Sequence, residues 1–254
     1  MDLPVNSFKH SIYAGQQQIG LWSSLASHIT VEILAGSGFD WLLLDTEHSP
    51  NDVPMVLNQL HAMMEHGTQP VVRVPWNDPV VIKRYLDIGT QSFLIPMIET
   101  AEQAQAAVAA TRFPPDGIRG FAAASRASRF GRIKDYHRNA HAEICVLVQI
   151  ETQLGLDNLD AIAAVPGIDG VFIGPGDLSS DLGYLGDQGN PVIVELIENT
   201  LRRIVAAGNR PGILTGDETL ARRYIAAGCL FTAVGADTGI LARGSEALAK
   251  RFKS

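Results

Sequence analysis

With 254 residues, 46% hydrophobic and 19% charged, the chain has the makeup of a globular protein able to bury a full core. A net charge of −7 argues against general nucleic-acid binding, though it leaves room for a local anion site. Two cysteines, Cys145 and Cys229, give no disulfide framework and point to a reduced, cytoplasmic protein; the opening MDLPVNSFKH lacks a signal-peptide core, and no apolar run is long enough to span a bilayer.

Residues 4–13 predict a short leading helix, and QIGLW at 18–22 a first strand. Ser27 caps a helix over 28–34, closed by Gly36 and Gly38. WLLLD at 41–45 is the second strand: bulky apolar residues without alternation suit a strand buried on both faces. SPND at 49–52 opens the next helix, with Pro50 near its first turn, and that helix runs to about residue 66. PVVRV (70–74) is the third strand, followed by a helix over 79–88; QSFLIP (91–96) is the fourth, followed by an alanine-rich helix over 100–111. After an irregular stretch, 112–141, CVLVQI (145–150) is the fifth strand and 156–165 a helix. GVFI (170–173) is the sixth strand and ends in a Gly-Pro-Gly-Asp turn, 174–177. A helix over 190–207, a strand over 210–214, a helix over 217–227, a strand over 230–234 and a helix over 244–252 complete the pattern.

Steady strand–helix alternation implies parallel strands with right-handed crossovers. Eight such units in a chain of this length predict an α/β fold, a (β/α)8 TIM barrel formed as a single domain over residues 1–254. The rival, a doubly wound open sheet, is weakened because neither GxGxxG nor a Walker loop follows the first strand.

Ligands of α/β folds bind at the carboxyl ends of the strands. There the second strand delivers Asp45, Glu47 and His48, and the third carries Arg73. The fifth delivers Gln149 and Glu151, two apart and so on one face; the sixth delivers Asp177. Glu151 and Asp177, on neighbouring strands, make a hard oxygen site suited to Mg2+, Mn2+ or Co2+. The plainer alternative is that Glu151 favours a helix amino end and Asp177 caps a turn. Asp45 can equally be a turn residue and His48 a solvated loop residue. An arginine between valines, as at Arg73, needs an anionic partner or a route to solvent.

Taken together, WLLLDTEHSP, PVVRVPW, LIPMIET, VQIET and GVFIGPGDLS resemble the class II pyruvate aldolases of the 4-hydroxy-2-oxoheptanedioate and 2-dehydro-3-deoxyglucarate aldolase type. The resemblance covers almost the whole chain. It implies a metal-dependent barrel that reversibly joins pyruvate, as an enolate, to an aldehyde. It implies a divalent metal on Glu151 and Asp177, His48 as the base acting directly or through a water, and Asp45 orienting His48. Arg73 then lies against the pyruvate oxygens, Gln149 helps hold pyruvate or a metal water, and the N–H groups of Gly176 and Asp177 receive the pyruvate carboxylate. Gly176 departs from the alanine common in relatives, which opens space near pyruvate. The resemblance also implies a carboxyl-terminal helix exchanged between subunits of a hexamer, a trimer of dimers.

GFAAASRASRF at 120–130 is similar to the RASR loop of these aldolases, and the basic stretch around it reverses the sign of an acidic chain. One reading is a solvated loop or subunit contact. The other is a lid after the fourth strand, with Arg126, from this or an adjacent protomer, meeting an acidic aldehyde, and Trp22 and Leu214 as the apolar wall. A Schiff-base aldolase is discounted because none of Lys9, Lys83, Lys134, Lys250 and Lys253 falls in a predicted strand. A metal-enolate lyase acting on an acyl-CoA thioester and a non-catalytic 2-oxo acid binding barrel remain as alternatives.

Overall fold

In the computed structural model, which describes residues 1–253, the apolar runs form eight parallel strands. These are β1 (Gln18–Ser23), β2 (Trp41–Asp45), β3 (Gln69–Arg73), β4 (Ser92–Ile95), β5 (Cys145–Ile150), β6 (Gly170–Ile173), β7 (Pro211–Leu214) and β8 (Phe231–Ala236). They pair in chain order and β8 closes onto β1, so the barrel is complete. Helix α1 (Ser7–Tyr13) precedes it. Around it lie α2 (His28–Ala35), α3 (Val53–Ala62), α4 (Pro79–Asp87), α5 (Ala101–Thr111), the short α6 (Tyr136–Asn139), α7 (Gln153–Asp157), α8 (Leu159–Ala163), α9 (Pro175–Asp181), α10 (Pro191–Ala206), α11 (Glu218–Ala226) and α12 (Asp237–Lys253).

Strand parity decides what the barrel encloses. Leu43, Val71, Leu94, Leu147, Phe172 and Phe231 pack together inside it. Leu42, Leu44, Val72, Phe93, Val148 and Val171 belong to the layer beneath the helices. Because side chains alternate along a strand, Asp45 shares the inward face with Leu43, Arg73 with Val71, and Gln149 with Leu147. Glu151, two beyond Gln149, continues that face. The same rule that fills the barrel with hydrocarbon therefore aims these polar groups at its carboxyl mouth. The opposite mouth is stoppered by α1: Phe8 is fully buried against Trp41 and Phe231, with ring centroids at 5.7 and 5.8 Å.

The predicted cap of Ser27 forms, and Thr100 and Asn190 cap α5 and α10, Thr100 within a complete capping box. Other boundaries differ from expectation. The helix expected over residues 49–66 is α3, capped by Asp52, with Pro54 and not Pro50 in its first turn. Asn51, expected to open that helix, instead donates through Nδ2 to the Asp45 carbonyl at 2.8 Å. The helix expected over 156–165 is split at Asn158 into α7 and α8. Residues read as a Gly-Pro-Gly turn begin α9, and the last helix starts at Asp237 and not at 244. Glycine is a poor helix former, so Gly176, Gly239 and Gly244 hide both helices from a reading by pattern.

Both cysteines are buried and unpaired. Among the described residues no helix is long and apolar enough to cross a membrane.

Candidate active site

Arg73 and Asp45 are register partners on adjacent strands. Facing inward side by side, they form a two-point ion pair: Nε to Oδ1 at 2.9 Å and Nη2 to Oδ2 at 2.7 Å. Trp22 Nε1 adds a hydrogen bond to Asp45 Oδ2 at 3.2 Å, and the guanidinium lies 4.9 Å from the Trp22 ring centroid. Glu47 closes the other side, its Oε2 2.9 Å from Arg73 Nη1, but off the axis needed for a hydrogen bond. Burial pushes the Asp45 carboxyl up, yet the Arg73 hydrogen bonds and charge outweigh it and hold the carboxyl below its usual range. From the sequence, Arg73 needs an anionic partner or a route to solvent, and the resemblance implies that Asp45 orients His48. The structure corrects the pairing: Asp45 meets His48 only at the backbone N–H, at 3.5 Å.

This clamp gives a direct prediction. Asp45→Asn removes the countercharge from an arginine that is only 6% exposed. Breaking a buried pair from one side costs about 3–5 kcal/mol. Because the folded-state pKa of Asp45 is depressed, its contribution is present above the unfolded carboxyl pKa and fades as pH falls through the folded one. The variant should therefore be less stable near neutral pH, with the deficit narrowing in acid, as read by urea melts across pH. Equal losses at every pH would remove Asp45 ionisation from the account.

Beside the clamp lies a cavity of about 420 Å³ bordered by Arg73, Gln149, Glu151 and Asp177. Trp22, Leu214 and Gly176 border it too. Glu151 is 2% exposed and takes hydrogen bonds from Gln149 Nε2 (2.7 Å) and from the Met97 N–H (2.8 Å). Met97 presents that N–H from a left-handed backbone, φ 53°. Gly174 is obligatory here, since a Cβ would come within 2.8 Å of both Gln149 Nε2 and Glu151 Oε1. Asp177 is exposed in the first turn of α9, where the N–H groups of Gly176 and Asp177 lack intrahelical acceptors.

The donor set fits a hard divalent cation. Burial, reinforced by the charges of Glu47 and Asp177, pushes the Glu151 carboxyl up to about 7 despite the Met97 hydrogen bond and Arg73. Burial likewise raises Glu47, against the opposing pull of Arg73 and His48. Asp45, Glu47 and Glu151 thus share one guanidinium, and Asp177 adds its charge to Glu47 and Glu151, an excess of negative charge that a cation relieves. Gln149 Oε1 is buried with no hydrogen-bond partner, a polar atom set for a ligand or its water. Among the described residues no group of three His, Cys, Asp or Glu side chains is arranged for a metal. Glu151 and Asp177 would supply two carboxylates and leave the other positions to water and substrate oxygens.

His48 is exposed at the end of β2, outside the residues bordering the cavity, and its charge is felt by Glu47. Arg126 is not at this mouth. Its Nε contacts His61 Nε2 at 3.1 Å and its Nη1 donates to the Ile88 carbonyl at 2.5 Å, beside Gly89 and Gln91 at the amino end of β4. Of the two readings of the basic stretch, a lid over this mouth within the same chain does not match its place in the fold. The basic stretch follows α5 and leads into β5, so it belongs to the amino face, where it packs Ala127, Ile133, Tyr136 and Ala140 into a small core. Helix-to-strand connections return to the amino face, whereas strand-to-helix connections form the active mouth. Among the described residues no lysine borders the cavity. Three contributors were left without a role by the sequence reading: Glu47, Met97 and Gln188, which reaches the cavity from the loop after α9. The glutamate in DTEH was visible as a strand-end acid, but nothing in the sequence flags Gln188.

A family model described as HpcH/HpaI aldolase/citrate lyase matches residues 18–244. The 4-hydroxy-2-oxo-heptane-1,7-dioate aldolase of Salmonella dublin is 56% identical over 248 residues, 97% of this chain and 94% of that protein. The crystal structure of a family protein from Burkholderia cenocepacia J2315 superposes with a TM-score of 0.94 at 40% identity, covering 98% of this chain and 100% of that one. At the distance where likeness speaks of fold alone, the citrate lyase beta subunit of M. tuberculosis, complexed with oxaloacetate and magnesium, gives a TM-score of 0.59 at 18% identity over 87% and 91% of the two chains.

Proposed function

Because the chain belongs to the HpcH/HpaI aldolase/citrate lyase family, we propose that the cavity at its barrel mouth is where the C3–C4 bond of 4-hydroxy-2-oxo acids is broken and made. The enzyme is a metal-dependent aldolase, a carbon–carbon lyase whose partners are pyruvate and an aldehyde. The observation that carries this assignment of the site is the buried Glu151, crowded by other carboxylates and bordering one cavity with Asp177, Arg73 and the unpartnered Gln149 Oε1.

The metal is Mg2+, Mn2+ or Co2+, held by Glu151 and Asp177. When bound it supplies Lewis acidity to the oxygens of the 2-oxo acid. The protein does the rest. In cleavage His48, directly or through a water, takes the proton of the C4 hydroxyl. The C3–C4 electron pair moves toward C2, the aldehyde leaves, and pyruvate remains as its enolate until C3 is protonated. Arg73, locked by Asp45 and Glu47, offers its remaining N–H groups to the oxygen where charge develops and needs no reorganisation to do so. Gln149 orients pyruvate or a water, and the N–H groups of Gly176 and Asp177 take the carboxylate. Trp22 and Leu214 form the apolar wall. Asp45 acts through Arg73.

Cleaving the Salmonella relative's substrate at this bond would yield pyruvate and a four-carbon aldehyde ending in a carboxylate. That aldehyde heads the panel of acceptors to test. Any contact of Arg126 with such a carboxylate would be made in a neighbouring protomer. The assembly is a hexamer, a trimer of dimers with α12 exchanged; this reading is supported by the exposure of Ile240, Leu241 and Phe252 along that helix. Its place is the cytoplasm. A thioester lyase is less well supported, because among the described residues Arg73 is the one basic residue bordering the cavity, leaving nothing there for the phosphates of CoA.

Metal-loaded enzyme should exchange the methyl protons of pyruvate with deuterated solvent and condense pyruvate with aldehydes. A binding barrel would do neither, and proton NMR separates the two.

A further inference from the structure

A second cavity, of about 90 Å³, lies at the amino face of the barrel, where Gly89 and Thr90 lead toward β4. Arg126 and Arg129 of the basic stretch border it, as do Leu3 and Pro4 from the segment before α1. Among the described residues no aspartate or glutamate borders it. Asp87, just ahead of this turn, pairs instead with Arg119 at 3.3 Å. Arg126 gives its hydrogen bonds to the Ile88 carbonyl, His61 and the Met64 sulfur, none of them anionic. Gly89 makes room for that arrangement: its φ is +98°, and a Cβ there would lie 2.6 Å from Arg126 Nη1. Burial, reinforced by the charge of Arg129, holds the Arg126 guanidinium below its usual pKa, as expected of two neighbouring cations without a countercharge.

Positive charge alone would fit a solvated loop, but Thr90 points independently to a ligand. It is 1% exposed, borders the same cavity, and its hydroxyl finds no partner in the protein. Buried polar groups are nearly always paired. Tyr136, also buried, borders the cavity as well. Its hydroxyl accepts from Arg119 Nη2 at 3.3 Å and keeps its own proton to give. Two guanidiniums and two hydroxyls thus stand around one small space.

We infer that this cavity binds a single phosphate dianion. Arg126 and Arg129 supply the countercharge, and the planar guanidinium of Arg129 can meet two phosphate oxygens at once. Thr90 and Tyr136 donate to the oxygens that remain. A carboxylate, with one charge and two oxygens, would leave part of this donor set unmet. Because Leu3 and Pro4 border the same space, the bound anion ties the leading segment to the basic stretch. The site lies at the end of the barrel opposite Glu151 and does not rest on the aldolase reading.

The test titrates inorganic phosphate into the full chain by calorimetry. Divalent metal is left out, ionic strength is held constant, and the buffer is basic enough to keep phosphate dianionic. Phosphate should bind saturably and raise the melting temperature more than chloride does at equal ionic strength. Thr90→Val, which fills the same space, and Arg129→Gln should each weaken binding about tenfold or more, as expected for losing a hydrogen bond to a charged group. Without phosphate, Thr90→Val should melt at or above wild type, since it removes a buried hydroxyl that has no partner. Acetate should bind more weakly than phosphate. Glycerol phosphate separates the sources of the anion: binding as tight as inorganic phosphate assigns the site to a phosphoryl group on a larger molecule, and much weaker binding assigns it to free phosphate. Absence of saturable binding, acetate binding as tightly, or an affinity untouched by both variants overturns the inference. So does a phosphate-free Thr90→Val protein that melts well below wild type, which would give the hydroxyl a structural role.

Discussion

Glu151→Gln and Asp177→Asn each abolish tight binding of divalent metal and lower turnover by at least about a thousandfold, the cost of losing roughly 4 kcal/mol of transition-state charge stabilisation. If Glu151 and Asp177 are the protein's share of the ligands, as proposed, losing either halves the anionic donors. Calorimetric titration with Mn2+ reads the binding independently of activity. The wild-type site carries its own pH signature. Burial holds the Glu151 carboxyl up at about 7, above its unfolded value, so the folded protein keeps a proton there that the unfolded chain has already lost. A cation must displace that proton. Affinity should therefore drop about tenfold per unit as pH falls below about 7, with one proton released per ion, and level off above it. The isosteric Glu151→Gln protein should show no such slope. A pH-independent affinity in wild type, or full activity in metal-free enzyme, would refute the role given to Glu151.

His48→Ala should lose about 10²–10⁴-fold in kcat, the usual worth of a general acid–base group. Its affinity for metal and its melting temperature should stay close to wild type, because the ring is exposed and makes no hydrogen bond among the described residues. The same exposure frees His48 from the constraint that locks Arg73, so the ring can follow the C4 hydroxyl in either direction of the reaction. Metal titration and kinetics on the same preparation separate the two effects. Should a folded His48→Ala enzyme keep its kcat, proton transfer must be assigned to another group, and Glu47, half-buried beside Arg73 with a raised carboxyl pKa, is the next candidate.

Much of the barrel could be read from residues 41–45, 145–150 and 170–173, where the expected and observed strands coincide. An unalternating apolar run reports burial on both faces, which a parallel sheet under helices requires. Where such a run meets charge, the strand has left the hydrocarbon. Asp45, Glu151 and Asp177 could be placed at the mouth for that reason alone. Some capped helix starts were legible, as at Ser27 and Thr100, though not those at Asp52 and Thr152, and starts with glycine in the first turn, as in α9 and α12, were not.

Composition, periodicity and caps, all local properties, were enough to determine the barrel and the ends of its strands. Pairing was beyond them. Asp45 stands three residues from His48 in the chain but directly beside Arg73 across the register of β2 and β3, and hydrogen-bond geometry favours the planar guanidinium over a side chain that turns outward. The basic stretch carries the same charges wherever it lies. Only its position after a helix and before a strand puts it, with Arg126, on the face opposite the cavity. Charge and periodicity travel with the segment, whereas proximity follows from closing the barrel, which brings Glu47, Met97 and Gln188 to one mouth from distant parts of the chain.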